Sequence, residues 1–291
     1  MKSELTCSLV VPCYNEEDAI EETVRDLTAA FANGGGFEII VVNDGSTDGS
    51  RRILERLGEK YPDVRVLAHE RNRGYGAALK TGIRQARAEL IAITDADGTY
   101  PSDRIPELVA TCENYDMVVG ARVADDVQYS RVRALPKFFL KKWMSWVAGQ
   151  NIPDINSGMR VFRKSVVESF IGILPDSFSF TVTITLAMLT NYRPTLFVPI
   201  SYSERVGNSK IKPVSDTLRF IMLILRTGVY FAPLRAFFPF VCVLGTLALG
   251  SFLYDIFALS NLTDKTVLLF LFSMNAGMFA LLADMIDKRS R

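Results

Sequence analysis

The 291-residue sequence predicts an α/β protein built on a parallel sheet and followed by two membrane-spanning helices. Between Ser8 and Gly120, short apolar runs alternate with amphipathic stretches, which is the pattern of repeated strand–helix units. These runs stop at glycine or polar residues, as buried strands of a parallel sheet do. The last third instead holds long apolar runs almost without charge, which are typical of membrane spans.

Strands and helices are predicted in strict alternation. The five predicted strands are Ser8–Val11, Glu38–Val42, Val64–Ala68, Leu90–Ile93 and Met117–Gly120. The four intervening helices are predicted through Ile20–Leu27, through Ile53–Leu57, over Gly74–Ala88 and over Ser102–Asn114. Asn15 is expected to cap the first helix, because its side chain can accept a hydrogen bond from a first-turn amide.

Two acidic residues just after the fourth strand are the first candidates for chemistry. Asp95 and Asp97 flank the small Ala96 and precede Gly98. Functional groups of open α/β sheets gather at the carboxyl ends of strands. Paired carboxylates suit Mg²⁺ or Mn²⁺, which can also hold a substrate diphosphate. Taken alone, a D-x-D sequence is also typical of an ordinary polar turn.

Composition excludes several other classes of site. The net charge of +1 gives no reason to expect nucleic acid as a partner. His69 is the single histidine and is interpreted as structural, so histidine triads and two-histidine metal sites are excluded. The four cysteines are widely spaced, which indicates a reducing compartment and no disulfide framework. The N-terminus lacks a signal-peptide core, so the front of the chain is expected in the cytoplasm.

The end of the chain predicts two transmembrane helices, over residues 236–259 and 266–284. A span needs about 20 largely apolar residues, and both segments come close to or exceed that length. The basic ending DKRSR favours the cytoplasmic side, so the catalytic domain is expected on the cytoplasmic face. The alternative is a buried helical hairpin in a soluble core.

Amphipathic segments precede the predicted spans. Residues 137–146, KFFLKKWMSW, interleave basic and aromatic side chains, and residues 213–235 place Arg219 and Arg226 on one helical face. Both segments are expected at the lipid headgroups, although core aromatics beside surface lysines would also explain the first. The predicted organisation is a domain over 1–212, a juxtamembrane segment over 213–235 and the two spans.

Six motifs carry a specific resemblance. VPCYNEE, VNDGSTDGS, RNRGYGAALKTG and DADGTYPSD, in this order and spacing, resemble the nucleotide-sugar half of family 2 glycosyltransferases with the GT-A fold. PDINSGMRVF and SERVGNSKIKP, followed by two spans, are similar to polyprenyl-phosphate glycosyltransferases. That group includes dolichyl-phosphate mannose synthases and bacterial undecaprenyl-phosphate sugar transferases. The resemblance covers nearly the whole chain.

The resemblance implies roles for particular residues. The nucleotide would be held by residues at or just after the ends of the first, second and fourth strands: Pro12, Tyr14, Asn15, Glu16, Asp44 and Ala96. Asp95 and Asp97 would hold Mg²⁺ or Mn²⁺ together with the diphosphate. Relatives often have Gln or Asn at the position of Thr99, so this sequence does not identify a third protein ligand to the metal.

A cluster of basic residues is predicted to bind the acceptor phosphate. Arg122, Arg160, Arg205 and Lys210 lie within or beside the motifs, and arginine offers a permanently charged planar fork for phosphate. Arg131 and Arg133 lie in the same region. For each arginine alone, a solvated surface position is an equally good interpretation.

The implied function is inverting, metal-dependent transfer of a sugar from a nucleoside diphosphate to polyprenyl phosphate at the cytoplasmic membrane face. A UDP-hexose such as UDP-glucose is favoured as donor, with GDP-mannose as the other choice, and a homo-oligomer is compatible with the sequence. A processive polysaccharide synthase is the rival enzyme, but its Q-x-x-R-W motif and additional spans are not found. A membrane-anchored nucleotide-sugar sensor without turnover is the rival from another class.

Overall fold

The computed structural model of the protein describes residues 5–32, 36–122, 142–203, 222 and 225–289. The chain forms two compact units. The first comprises Met1–Ala134 and Ile152–Asp216, and the second comprises Leu135–Asn151 and Thr217–Arg291.

A mixed seven-stranded sheet organises the first unit. Its strands are β1 Leu5–Cys13, β2 Gly36–Asn43, β3 Val64–Ala68, β4 Leu90–Ile93, β5 Met117–Arg122, β6 Arg160–Arg163 and β7 Thr195–Ile200. They lie in the order β3-β2-β1-β4-β6-β5-β7. All five predicted strands are confirmed within a few residues at each end.

The strand β6 makes the sheet mixed, whereas the sequence predicted a parallel one. It runs antiparallel to both neighbours, with Arg160 opposite Ile93 of β4 and Val119 of β5. The strict alternation that predicted parallel strands ends at β5, so it carries no information about β6. An antiparallel strand starts at the edge where its parallel neighbours end. The turn before β6 therefore enters the sheet beside the exit of β4.

Helices cover both faces of this sheet. They are α1 Ile20–Ala30, α2 Ser50–Lys60, α3 Tyr75–Gln85, α4 Ile105–Thr111, α5 Lys164–Phe170 and α6 Phe180–Thr190. The predicted helix over Ser102–Asn114 is α-helical only in α4, and a 3₁₀ turn lies at each end of it. Alternate strand residues face opposite sides, so Leu9 and Val11 pack in the cluster that contains α1, α2 and α4. Val10 packs in the other cluster, with α3, α5 and α6.

The prediction that Asn15 caps α1 is wrong. Helix α1 begins at Ile20, and no side chain caps it. Asn15 has a φ of 54°, a left-handed conformation that Asn tolerates better than most residues. Its side chain instead pairs with Thr47, whose amide donates to Asn15 Oδ1 at 2.7 Å. The prediction fails because Thr47, in the loop after β2, donates its amide hydrogen to the Asn15 side-chain oxygen, which therefore does not cap the helix.

The second unit contains two long apolar helices, α7 Pro233–Tyr254 and α8 Asp264–Arg289, with a π-helical turn over Asp255–Leu259 between them. The segments Pro233–Leu259 and Asp264–Ile286 are 27 and 23 residues long, with mean hydropathies of 2.1 and 2.0. Both are long and apolar enough to cross a membrane, as predicted. Only 6% and 11% of their most apolar stretches are buried, unlike the core helices of soluble proteins.

Candidate active site

The site lies in the first unit, at the edge of the sheet where the parallel strands end. Strands β1, β2 and β4 run parallel, so the residues that follow them meet at one edge. The antiparallel β6 starts at this same edge. Four chain segments consequently contribute to the site: residues 12–16, 43–48, 95–100 and 154–158.

Asp95 is held by residues from other parts of the chain. The Tyr75 hydroxyl donates to Asp95 Oδ1 at 2.9 Å. Burial, and next the negative charge of Asp95, raise the pKa of Tyr75, so this phenol remains a donor. The backbone of Gly158 also passes close by, since a Cβ built there would lie 2.6 Å from Asp95 Oδ2. The carboxylate is therefore confined between the start of α3 and the turn before β6.

Asp97 is oriented by Thr99, two positions further along the chain. The Thr99 hydroxyl and amide donate to Asp97 Oδ1 at 2.7 and 3.2 Å. Thr99 is fully buried, so its hydroxyl serves Asp97 rather than a metal. No group of three or more Asp, Glu, His or Cys side chains suited to a metal occurs among the described residues. Two carboxylates still fit Mg²⁺ or Mn²⁺, because such ions usually keep several water or phosphate ligands.

The predicted nucleotide residues lie in two loops that are tied together. Pro12 is buried at the end of β1, and the Tyr14 ring next to it is 36% exposed. The backbone amides of Asn15 and Glu16 donate to Ser46 Oγ and Ser50 Oγ at 3.0 and 2.9 Å. The buried Ala96 accepts a hydrogen bond from Thr23 through its carbonyl at 3.1 Å, so it contributes backbone to the site floor. The loops after β1 and β2 thus form one surface.

Asp44 is buried and accepts hydrogen bonds from several donors. The amides of Arg73 and Gly74 donate to its two oxygens at 2.9 and 2.8 Å. His69 Nδ1 lies 2.6 Å from Asp44 Oδ1 and must carry the proton, because a carboxylate only accepts. His69 Nε2 lies 2.9 Å from the Thr81 hydroxyl oxygen. These contacts fit the structural interpretation of His69 and show that Asp44 shapes the turn before α3.

Arg122 forms a two-point ion pair with Asp154. Its Nε and Nη2 lie 2.7 and 3.0 Å from the two carboxylate oxygens. Its Cζ lies 5.2 Å from the centroid of the Tyr202 ring. Burial lowers the pKa of Arg122, but the hydrogen bonds with Asp154 outweigh burial and raise it overall. The Arg122 side chain is 28% exposed, so this ion pair lies at the site edge.

Arg160 lies in the core, below the turn that leads into β6. Its side chain is fully buried and donates to the carbonyls of Ser157 and Thr181 and to the Thr185 hydroxyl, at 2.5 to 3.2 Å. Burial lowers the pKa of Arg160 to about 10, which still leaves it charged at pH 7. This buried position differs from the exposed one that a direct phosphate contact needs. Arg205, Lys210, Arg131 and Arg133 lie outside the described residues.

An acidic cavity adjoins Asp97 on the side of α1. It has a volume of about 670 Å³, and its acidic lining residues are Asp18, Glu22, Asp26, Asp97 and Asp103. Four of these carboxylates, those of Asp18, Glu22, Asp26 and Asp103, have no assigned role in holding a metal and would repel a diphosphate, whereas Arg122 does not line this cavity. A diphosphate substrate is therefore expected away from α1.

Comparison with known proteins identifies the family of this chain. The sequence model of Glycosyl transferase family 2 matches residues 8–170, more than half of the chain. The chain belongs to glycosyl transferase family 2. Residues 232–288 match a second model, the GtrB C-terminal hairpin. The family that the motifs predicted is confirmed.

The relatives of this family 2 protein include enzymes named undecaprenyl-phosphate 4-deoxy-4-formamido-L-arabinose transferase. The one from Edwardsiella ictaluri is 32% identical, over 82% of this chain and 73% of the relative. The one from Pseudomonas fluorescens is also 32% identical, over 78% of this chain and 66% of the relative. The chain thus spans slightly less than two thirds of the second relative.

Solved structures confirm the fold. Glucosyl-3-phosphoglycerate synthase from Mycobacterium tuberculosis, in complex with Mn²⁺, UDP and phosphoglyceric acid, is 19% identical with a TM-score of 0.59. The alignment covers 76% of this chain and 78% of that one. The same enzyme with Mg²⁺ and UDP gives a TM-score of 0.57 at 19% identity and the same coverage. At this identity the likeness supports the GT-A fold alone.

Sequence reasoning missed Tyr75, Asp154 and the role of Gly158. Tyr75 and Asp154 lie inside motifs that were recognised, RNRGYGAALKTG and PDINSGMRVF, but outside the residues selected from them. A tyrosine between two glycines at a predicted helix start was the available signal for Tyr75. Its meeting with Asp95, 20 positions later, depends on the order of the strands.

Proposed function

We propose that this protein transfers a sugar, with inversion, from a nucleoside diphosphate to polyprenyl phosphate at the cytoplasmic face of a membrane. The observation that carries the proposal is the pair Asp95 and Asp97 after β4, at the edge where the loops after β1 and β2 also meet. Membership of family 2, the names of the relatives and the match to the GtrB C-terminal hairpin support it.

On the donor side, the joined loops after β1 and β2 would bind the nucleotide. The exposed Tyr14 ring offers a face for the base, and Glu16 offers a carboxylate for ribose hydroxyls. Asp44 would contribute by fixing the turn before α3. Mg²⁺ or Mn²⁺ held by Asp95 and Asp97 would stabilise the charge on the departing diphosphate. The Mycobacterium tuberculosis neighbours are complexes with UDP and one of these metals, so these are the first ligands to test.

On the acceptor side, positive charge and orientation replace a general base. A phosphate monoester has a second pKa near 6, so its attacking oxygen is already largely ionised at pH 7. Arg122, held in place by Asp154, is partly exposed at the site edge, and we assign it to the acceptor phosphate together with Arg205 and Lys210. Arg160 would shape the 157–159 turn from below. In-line attack on an α-linked donor breaks the sugar–diphosphate bond and gives a β-linked product.

A transfer assay with paired acidic variants tests this proposal. Purified protein is incubated with a labelled nucleotide sugar, Mg²⁺ and polyprenyl phosphate, and the chloroform-soluble product is counted. Asp97→Ala should abolish transfer while leaving the circular dichroism spectrum unchanged, because Asp97 lies beyond a strand end rather than in the core. Asp103→Ala is the matched control, since it removes an exposed acid from the same segment and should retain activity. Unchanged turnover in Asp97→Ala at saturating Mg²⁺ would rule out its role.

The donor sugar is chosen by the same assay. We propose a UDP-hexose such as UDP-glucose, with GDP-mannose as the second candidate. The relatives act, by name, on 4-deoxy-4-formamido-L-arabinose, so its nucleotide-linked form belongs in the panel. Product formation with any of the three would exclude a sensor without turnover, and addition of a single sugar per lipid would exclude a processive synthase.

A further inference from the structure

We propose that Tyr75 is a positioning residue for Asp95, holding its carboxylate for the metal and diphosphate of the donor. The inference rests on the proposed function. Its central observation is the hydrogen bond from the Tyr75 hydroxyl to Asp95 Oδ1, at 2.9 Å. A phenol that donates to one carboxylate oxygen restricts rotation of the whole group. The second oxygen, Oδ2, is then presented in a defined direction.

The backbone around Tyr75 is rigid enough for this task. The amide of Gly74 donates to Asp44 Oδ2, and that of Ala77 donates to the Asp176 carbonyl at 3.2 Å. Gly74 has a φ of 103°, and a Cβ built there would lie 2.3 Å from the Asp176 carbonyl oxygen. A Cβ built at Gly76 would lie 2.1 Å from the Pro175 carbonyl oxygen. Glycine on both sides of Tyr75 thus allows residues 175–177 to pack directly against the start of α3, which fixes the backbone of Tyr75.

The Tyr75 ring is fixed as well as its backbone. It stacks on the Phe178 ring at a centroid distance of 5.2 Å and an interplanar angle of 17°. Phe178 is 82% exposed, so it covers Tyr75 without belonging to the core. Stacked aromatic pairs attract each other beyond the area they bury, so this contact helps to orient the tyrosine ring. Phe178 and Asp44 thus act on Asp95 through Tyr75.

The hydrogen-bond partner of the Tyr75 hydroxyl is a second indication of a positioning role. Buried hydroxyls usually donate to backbone or water, whereas this one donates to a carboxylate that we assign to the metal. Partners that orient ligating groups typically change metal affinity by about 10- to 100-fold when removed. Removing the Tyr75 hydroxyl should therefore weaken metal binding while leaving metal-free nucleotide binding intact.

The test uses the full-length protein in detergent and the variant Tyr75→Phe, which keeps the stacked ring. Mn²⁺ affinity is measured in the presence of UDP by electron paramagnetic resonance of free Mn²⁺, and UDP affinity is measured separately in EDTA. We expect Mn²⁺ affinity to fall by about 10-fold or more and UDP affinity in EDTA to stay unchanged. Tyr192→Phe is the matched control, because this tyrosine is 83% exposed, and it should behave as wild type.

A double variant makes the test specific for the contact with Asp95. In an Asp95→Ala background, Tyr75→Phe should cause no further loss of Mn²⁺ affinity, because no carboxylate is left for the phenol to position. An equal loss in both backgrounds, or wild-type Mn²⁺ affinity in Tyr75→Phe, would overturn the inference alone. Absence of joint Mn²⁺ and UDP binding by the wild-type protein would overturn the proposed function and the inference together.

Discussion

Glu38 offers a test of sheet stability that is separate from the site. Its carboxylate is 1% exposed and joins four parts of the first unit. Ser8 Oγ and the Arg87 amide donate to Oε1 at 2.7 and 2.8 Å, and the Arg65 and Arg87 guanidinium groups donate to Oε2 at 2.8 and 2.9 Å. Asp44 lies six positions after Glu38, about 20 Å along an extended strand. Glu38→Gln should therefore affect stability much more than nucleotide binding.

The magnitude follows from the pKa of the carboxylate. Burial alone would raise it, but hydrogen bonds from Arg87, Ser8 and Arg65 outweigh burial and lower the pKa of Glu38 from 4.5 to about 2. At about 1.36 kcal/mol for each tenfold change in proton affinity, this corresponds to at most about 3.4 kcal/mol. Solvent screens the contribution, because the Arg65 and Arg87 side chains are 33% and 64% exposed. We expect Glu38→Gln to lower the free energy of unfolding by about 2 kcal/mol at pH 7.

The sign of the pH dependence is fixed by the lowered pKa. A carboxylate with a depressed pKa in the folded state stabilises fully above its unfolded value of about 4.5, and this stabilisation is lost as the pH falls toward 2. The difference between wild type and Glu38→Gln should consequently shrink below pH 4.5. Glu55→Gln is the matched control, because it breaks an exposed pair with Arg51 that is worth at most about 1 kcal/mol.

Amide hydrogen exchange measured by mass spectrometry is the appropriate assay. Both tryptophans, Trp143 and Trp146, lie in the second unit, so intrinsic tryptophan fluorescence would not report on the sheet. Peptides covering β1 and β2 report its opening directly, once intrinsic exchange rates are corrected for pH. The reasoning fails if Glu38→Gln destabilises these strands no more than Glu55→Gln does, or if its effect is equal at pH 3 and pH 7.

Three further outcomes are expected. Arg205→Ala and Lys210→Ala should each lower turnover about 10- to 100-fold, since a charge-assisted contact is worth about 1.5 to 3 kcal/mol. Near-normal steady-state rates in both variants would assign that stretch to membrane contact instead. A chain of residues 1–235 should bind nucleotide in equilibrium dialysis but use bilayer-embedded polyprenyl phosphate poorly, because it lacks the anchoring spans; full activity on vesicles would contradict this. His69→Gln should retain the chemical step in single-turnover assays, and polyprenol should not replace polyprenyl phosphate as acceptor. Efficient glycosylation of polyprenol would disprove a mechanism that uses no general base.

The sequence by itself determined the first five strands, the two apolar helices at the end of the chain, the family and the position of the acidic pair. Strands such as Leu90–Ile93 are local apolar runs, and the membrane segments are longer ones, so their signal is contained in neighbouring residues. Asp95 and Asp97 could be placed at a strand exit for the same reason. The ordered motifs then predicted the GT-A fold and family 2, which the comparisons confirmed.

Only the tertiary structure decided how the site residues meet. Whether an arginine in SGMR faces solvent or core depends on the antiparallel entry of β6, which placed Arg160 inside. Asn15 turned to Thr47 instead of capping α1, and Tyr75 reached Asp95 across strands that are distant in sequence. Local patterns report burial and periodicity along one segment, whereas these contacts depend on strand order and direction. That information is distributed over the whole sheet, so no single stretch of the chain contains it.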